Sequence, residues 1–248
     1  ISTQSYAGYV LHVGSLTTGV TIKVGDTVNC AVDYDRRSLV APNHTMTHVL
    51  NFALRKVLLG DKSSENTGGA SLCDQKGSQV DAEKLRFDFS WGGGLTVKQV
   101  AEVEGIVNDI IKNAQPVHAQ TVPLADAMAI HGLRAVFGEH YPDPVRVISV
   151  GNSVDSVIAN PKDTKWTGYS IEFCGGTHLN NTSQADDFVL VEESGIAKGI
   201  RRITGLTKTA ARESRRVATD LNKRLDDMLL LPGGLELSTK NKAIKMEV

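Results

Sequence analysis

The sequence is short of cysteine, of long apolar runs and of net charge, and each shortage excludes something. Only Cys30, Cys73 and Cys174 occur in 248 residues. Three thiols are too few for a disulfide framework, so the composition fits a reducing compartment. No run of roughly 18 apolar residues exists, which excludes a membrane-spanning helix of the usual kind. A formal net charge of −1 argues against attraction to nucleic acid over the whole surface, but it permits a local basic patch. The chain opens on Ile1 without an initiator Met or a signal peptide, and reads as a piece of a longer polypeptide. The metalloprotease pattern His-Glu-x-x-His is also missing, which counts against a general metallohydrolase.

What is present suffices for a buried core: 41% of the residues are hydrophobic, over a length that suits one large domain or two smaller ones. Residues 1–35 read as part of a small β-barrel. Strand-like runs at 9–13, 20–24 and 28–32 are separated by turns at Gly14, Gly19 and Gly25. A helix is predicted from Asn43 to Leu59, with Asn43 as N-cap, Pro42 holding the entry extended and Gly60 at the C-terminal end. Residues 61–71 read as a polar surface loop. Leu85 to Phe89 alternates as a strand should. Thr96 and Gln99 form a capping-box pattern for a helix that stops before Pro116, and Pro123 opens a short helix. Further strands are expected at 145–150, 169–173, 187–193 and 199–204, and a final helix at about 208–231. Strands and helices mix without regular βαβ alternation. The fold class is therefore α+β: a mixed sheet with packed helices over 36–207, preceded by the partial barrel and followed by a C-terminal helix and tail over 208–248.

The chemistry concentrates in two pairs. His44 and His48 stand at i and i+4, one turn apart on one helical face, the spacing at which one helix offers two imidazoles to one metal ion. Cys174 and His178 form a Cys-x3-His pair in a glycine-bearing turn at the end of a strand. One thiolate and three imidazoles suit zinc, Zn2+. Four protein ligands close a tetrahedral site, whereas a catalytic zinc keeps a position open. His178 is thus either the fourth ligand or a base, and the zinc either structural or catalytic. Basic residues gather later: nine lie between Lys198 and Arg224, against only Glu213 and Asp220. That stretch, with Arg201, Arg202, Arg212 and Arg216, reads as a phosphate-contacting surface. Arg86 and Asp88, two apart on one strand face, read as a structural pair.

Five blocks in fixed order carry a family resemblance: Ala41-Pro42-Asn43-His44-Thr45-Met46-Thr47-His48, Gln75-Lys76-Gly77-Ser78, Leu85-Arg86-Phe87-Asp88-Phe89, Cys174-Gly175-Gly176-Thr177-His178 and Gly199-Ile200-Arg201-Arg202-Ile203. Together they resemble the editing domain of alanyl-tRNA synthetases, in the alanyl/threonyl-tRNA synthetase second additional domain family. Free-standing alanyl-tRNA editing proteins and the threonyl enzyme's editing domain share the two metal-binding pairs. The Gly-Gly-Gln segment usual in the family is not found. The resemblance implies zinc-dependent hydrolysis of the ester in seryl- or glycyl-tRNA(Ala), on a piece of a parent synthetase that works in the cytoplasm or the mitochondrion. It implies roles at the reacting ester for Gln75, Thr47 and His178. Nothing resembles the family's ATP-binding aminoacylation domain, so editing without charging is expected. A tRNA-binding module with a structural zinc is the alternative.

Overall fold

The computed structural model describes residues 2–6, 9–60, 73–135 and 139–230. The chain divides after Asp33 into two compact units. The first holds a hairpin of β1 (Ser2–Tyr6) and β2 (Tyr9–Val13), antiparallel from Ser2 opposite Val13 to Tyr6 opposite Tyr9. The strands expected at 20–24 and 28–32 do not form: residues 14–33 contain no strand. Gly19 and Gly25 sit at φ +86° and +97°, and the Val20 and Asp26 amides close tight turns onto the Thr17 and Lys23 carbonyls. Apolar alternation alone makes no strand unless a neighbour takes up the backbone hydrogen bonds.

The second unit is built on a long helix, α1 (Tyr34–Leu59), which starts nine residues before the expected N-cap. Pro42 lies inside it. A proline there has no N–H for the carbonyl four residues back, and that carbonyl, Ser38, instead accepts from Lys208 Nζ at 3.0 Å. Asn43 caps nothing. Its Nδ2 donates to the Asp81 carbonyl at 2.9 Å and its Oδ1 accepts from the Thr207 hydroxyl at 2.7 Å. The tie from helix to two other elements replaces the expected cap. Gly60, at φ +54°, ends the helix as expected.

Two antiparallel sheets follow in place of one mixed sheet, within the expected α+β class. Strands β3 (Gln75–Val80), β4 (Leu85–Ser90), β8 (Phe188–Ala197) and β9 (Ile200–Thr207) form the larger sheet, ordered β3-β4-β9-β8. The smaller is β5 (Val117–Val122), β6 (Val145–Val150) and β7 (Ile171–Phe173) in that order. Helix α2 (Val97–Lys112) carries the predicted capping box, with Thr96 accepting from the Gln99 amide and the Gln99 side chain returning to Thr96. It packs on α1. Short helices α3 (Leu124–Met128) and α4 (Val154–Ala159) cover the smaller sheet, and α5 (Lys208–Leu229) runs from the end of β9. The expected loop at 61–71 and the tail beyond 230 lie outside the described residues.

One core joins Met46, Leu50 and Leu54 of α1 to Phe87, Phe89, Val103, Val107, Phe188 and Ile203. A second joins Val122, Ile130, Val145, Val147, Val157, Trp166 and Ile171. Each large side chain so buried contributes about 1.5–3 kcal/mol. Histidine-bearing turns of α1 thus ride on an apolar face that fixes the helix's rotation.

Across β4 and β9, Arg202 donates from Nε and Nη2 to both Asp88 oxygens, each at 2.8 Å. Arg86 stands 3.6 Å from Asp88, so the predicted neighbour pair is secondary to the cross-strand one. Arg202 holds the Asp88 carboxyl below its ordinary value. A depressed carboxylate pKa gives stability that is fully present above the unfolded value near 3.9 and fades as pH falls through the lowered value. Asp88→Asn is expected to lower stability by about 1.5–3 kcal/mol at pH 7. In urea unfolding across pH, the gap to the parent chain should close below pH ~4.

Candidate metal centre

Four donors converge where α1 meets the turn after β7. His44 and His48 come from α1, and Cys174 and His178 from the turn; one ligand atom from each lies within 4.8 Å of all the others. The His44 ring centroid is 5.3 Å from that of His48 and 4.3 Å from that of His178. His44 Nε2 lies 3.4 Å from Cys174 Sγ. Both pairs legible in the sequence are therefore brought together, although more than a hundred residues separate them.

Each donor has a neighbour of its own behind it. His44 bonds to the Thr177 backbone. Glu172 Oε2 faces His48 Nδ1 at 3.6 Å, and Asn51 Nδ2 fixes that carboxyl by donating to its other oxygen at 2.8 Å. Thr45 Oγ1 meets His178 Nδ1 at 3.2 Å and accepts the Leu179 amide at 3.0 Å. The Gly176 amide points at Cys174 Sγ, 3.4 Å away. Such outer partners orient metal-binding rings and fix which nitrogen is left for the ion. Gly176 has a second role: a Cβ there would lie 2.7 Å from His44 Nδ1, so the ring needs the space.

Electrostatics suit a cation. Burial lowers the pKa of all three histidines, that of His48 to about 3, and mutual proximity and Arg146 lower His48 and His178 further. The rings are therefore neutral near pH 7 and able to donate lone pairs. Burial pushes the Cys174 thiol up, a cost that a bound dication reverses. His178 Nε2 is buried without a hydrogen-bond partner, and so is His48 Nδ1. Unpaired polar atoms in a buried site call for an explanation, and an ion supplies one for His178. The donor set and these atoms fit Zn2+.

The other expected residues lie elsewhere or are differently engaged. Thr47 is buried on α1 and donates to the Asn43 carbonyl at 2.8 Å. Gln75 opens β3 and donates to Ser78 Oγ at 3.2 Å. Among the described contacts, neither reaches the four donors. Arg201 is clasped by both oxygens of Glu193, one of them at 2.7 Å from Nη2, and Arg202 by Asp88. On α5, Arg212 pairs with Asp186, and Arg216 with Glu213 at 2.6 Å; these two side chains are 53% and 70% exposed. Sequence reasoning missed Thr45, Arg146, Glu172 and Gly176. Glu172 carried a signal: it stands two residues before Cys174, on the same face of its strand. Its carboxyl is raised by burial to about 7, and it also lines a cavity of about 430 Å3 with Arg55, Arg134 and Ser170.

The chain is similar to known proteins over most of its length. Residues 145–204 match the family described as threonyl and alanyl tRNA synthetase second additional domain. The chain is 48% identical over 241 residues to an alanine--tRNA ligase of Candida albicans, covering 97% of this chain and 24% of that protein. It is 47% identical over 229 residues to a cytoplasmic alanine--tRNA ligase of Dictyostelium discoideum, covering 92% and 23%. A mitochondrial alanine--tRNA ligase of Saccharomyces cerevisiae is 48% identical over 229 residues, covering 92% and 22%. The chain thus spans about a quarter of the length of the relatives it matches. Among the described residues no helix is long and apolar enough to cross a membrane.

Two outcomes follow for the metal. Since the imidazoles are already neutral, zinc uptake at pH 7 should release about one proton, that of Cys174; calorimetry in buffers of different ionisation enthalpy reads this directly. Gly176→Ala, by crowding His44, should weaken zinc about 10–100-fold, measured by competition with a chromogenic chelator.

Proposed function

The chain belongs to the family of the threonyl and alanyl tRNA synthetase second additional domain, and on that premise we propose that it hydrolyses the ester of mischarged tRNA(Ala) carrying serine or glycine. The observation that carries this reading is the convergence of a His-x3-His helix and a Cys-x3-His turn on one point. The physical need is plain. A synthetase for alanine gains only about 1–3 kcal/mol against a substrate differing by one methylene-sized group, and an apolar pocket rejects an added hydroxyl poorly. A second, hydrolytic site removes what the first accepts.

His44, His48, Cys174 and His178 would hold the zinc ion. When bound, zinc would supply Lewis acidity toward the ester and charge stabilisation near it. The chain's own groups do the rest. With Nδ1 engaged by Thr45, His178 has one nitrogen to give, Nε2, which serves either as the fourth ligand or as a base but not as both at once. Glu172, with its carboxyl raised to about 7, orients His48. Gln75 is assigned to read the serine hydroxyl: its amide both donates and accepts, and its partner, Ser78, is one it can exchange. Thr47 keeps acceptor capacity beside its bond to Asn43 and is the second candidate for that contact.

The tRNA would lie against Arg201, Arg202, Arg212 and Arg216. Carboxylates already engage all four, so phosphates must share or displace those partners. Arg212 and Arg216, more than half exposed, have the most guanidinium surface to offer. The rest of the parent synthetase and the cytoplasm or mitochondrion complete the setting, in line with the relatives named above.

A second reading is favoured by the same convergence. Four protein ligands make a closed site, the pattern of a structural zinc, and the chain would then be a tRNA-binding module. Release of serine from seryl-tRNA(Ala) separates the two. Under the hydrolase reading, chelation should abolish release while the fold persists, and His178→Ala should lose zinc affinity and activity together. Under the structural reading, the zinc-loaded chain releases no serine above background. If His178→Ala keeps its zinc and loses only kcat, His178 is the base. A further measure is Gln75→Leu, expected to reduce discrimination between seryl- and alanyl-tRNA(Ala) at least about tenfold, or roughly 1.4 kcal/mol. Equal loss on both substrates would assign Gln75 to positioning alone.

A further inference from the structure

Arg146 is assigned no role by its sequence neighbourhood, yet it touches the centre of the site. Ile148 of β6 pairs with Glu172 of β7, and Val147 with Phe173. Cross-strand partners share a face and successive residues alternate, so Arg146, Ile148, Glu172 and the Cys174 that follows β7 point to the face that α1 covers. The Cys174 amide donates to the Arg146 carbonyl at 3.1 Å, which extends the ladder into the turn. Arg146 Nη1 then reaches over the turn and donates to the Cys174 carbonyl at 3.0 Å and the Gly176 carbonyl at 2.6 Å. One nitrogen thus ties down the backbone that carries both Cys174 and His178. Its charge acts on all four donors.

The clamp uses one edge of the guanidinium. Among the described residues, Nε and Nη2 donate to no protein acceptor; the side chain is half-buried, and neither nitrogen is among the fully buried polar atoms without a partner. Among the described residues no carboxylate pairs with it, unlike Arg201 and Arg202. A planar fork with one edge fixed and one edge free is preorganised for a two-oxygen anion. We propose that Arg146 binds a phosphate of the RNA terminus through this free edge, while its other edge holds the Cys174–His178 turn. The proposal rests on the reading of the site as one that acts on the end of an RNA, and it names the contact that brings the end to the donors. The coupling is direct: the residue that senses the phosphate is the residue that sets the turn.

The test uses the zinc-loaded chain and uncharged tRNA(Ala), with affinity measured by fluorescence anisotropy across a salt series and zinc content measured in parallel. Arg146→Gln removes the charge but keeps an amide N–H2 for the turn carbonyls. It should bind tRNA about tenfold more weakly, with a salt slope flattened by about 0.7, the value for one contact to a single strand. Arg146→Lys restores the charge and should restore the slope. Zinc content in Arg146→Gln should stay at the parent level, because the amide still holds the turn carbonyls that Arg146 Nη1 now holds. An unchanged slope in Arg146→Gln overturns the proposal and leaves Arg146 a clamp. A slope that flattens in Arg146→Gln only in step with lost zinc also overturns it, because the turn and its ion rather than the arginine would then carry the contact. Failure of the hydrolase reading looks different: the parent chain releases no serine, whatever the slopes.

Discussion

Three imidazoles and a thiol packed against one another in a half-buried corner are an unfavourable arrangement for a protein that holds nothing there. Each ring loses water, two buried ring nitrogens find no hydrogen bond, and a proton gained by one ring is opposed by its neighbours. An unsatisfied buried polar atom costs about 1–3 kcal/mol. Two of the rings are held from behind, His178 by Thr45 and His44 by the Thr177 backbone, while His48 faces the Glu172 carboxyl at 3.6 Å. The same frustration suits the cluster to a cation, since the three imidazoles are preorganised and neutral, and only the Cys174 thiol has a proton to give up.

The rest of the fold can be understood as the frame that keeps this corner fixed. Helix α1 buries Met46, Leu50 and Leu54 to hold its rotation. Its interior proline is tolerated because Lys208 takes the carbonyl that Pro42 cannot serve. Asn43, next to the first histidine, is tied to the β3–β4 turn and to the end of β9. On the opposite wall the β6–β7 register delivers Glu172 and Cys174 to the same face, and Arg146 fastens the turn beyond. Antiparallel register decides that face, because a slip of one residue would send both side chains into the second core.

Charge is distributed by a related logic. The stretch from Lys198 to Arg224 is strongly basic in sequence, yet in the fold Arg201, Arg202, Arg212, Arg215 and Arg216 all have acidic partners. Paired arginines in β9 brace the larger sheet, whereas those on α5 are largely solvent-facing. Among the described residues Arg146 differs from them in having no carboxylate partner, and it stands beside the four candidate metal donors.

The sequence by itself determined the local chemistry. His44 and His48 had to share a helical face, since 3.6 residues make a turn. The capping box at Thr96, the helix end at Gly60 and the alternation of Leu85–Phe89 are likewise contacts between near neighbours, and such contacts are written in spacing. The five ordered blocks fixed the family. Tertiary structure decided everything that depends on residues far apart. It began α1 at Tyr34, because a long-range lysine and a long-range threonine satisfy what Pro42 and Asn43 leave open. It withheld strands from 20–24 and 28–32, because among the described residues no neighbouring strand takes their hydrogen bonds. It divided the expected single sheet into two, gave Asp88 to Arg202 in preference to Arg86, and placed Thr45, Glu172 and Arg146 around the donors. Spacing along a chain reveals what lies one turn or one pleat away; a partner 28 or 130 residues distant, as Cys174 is to Arg146 and to His44, is known only once the backbone has been folded.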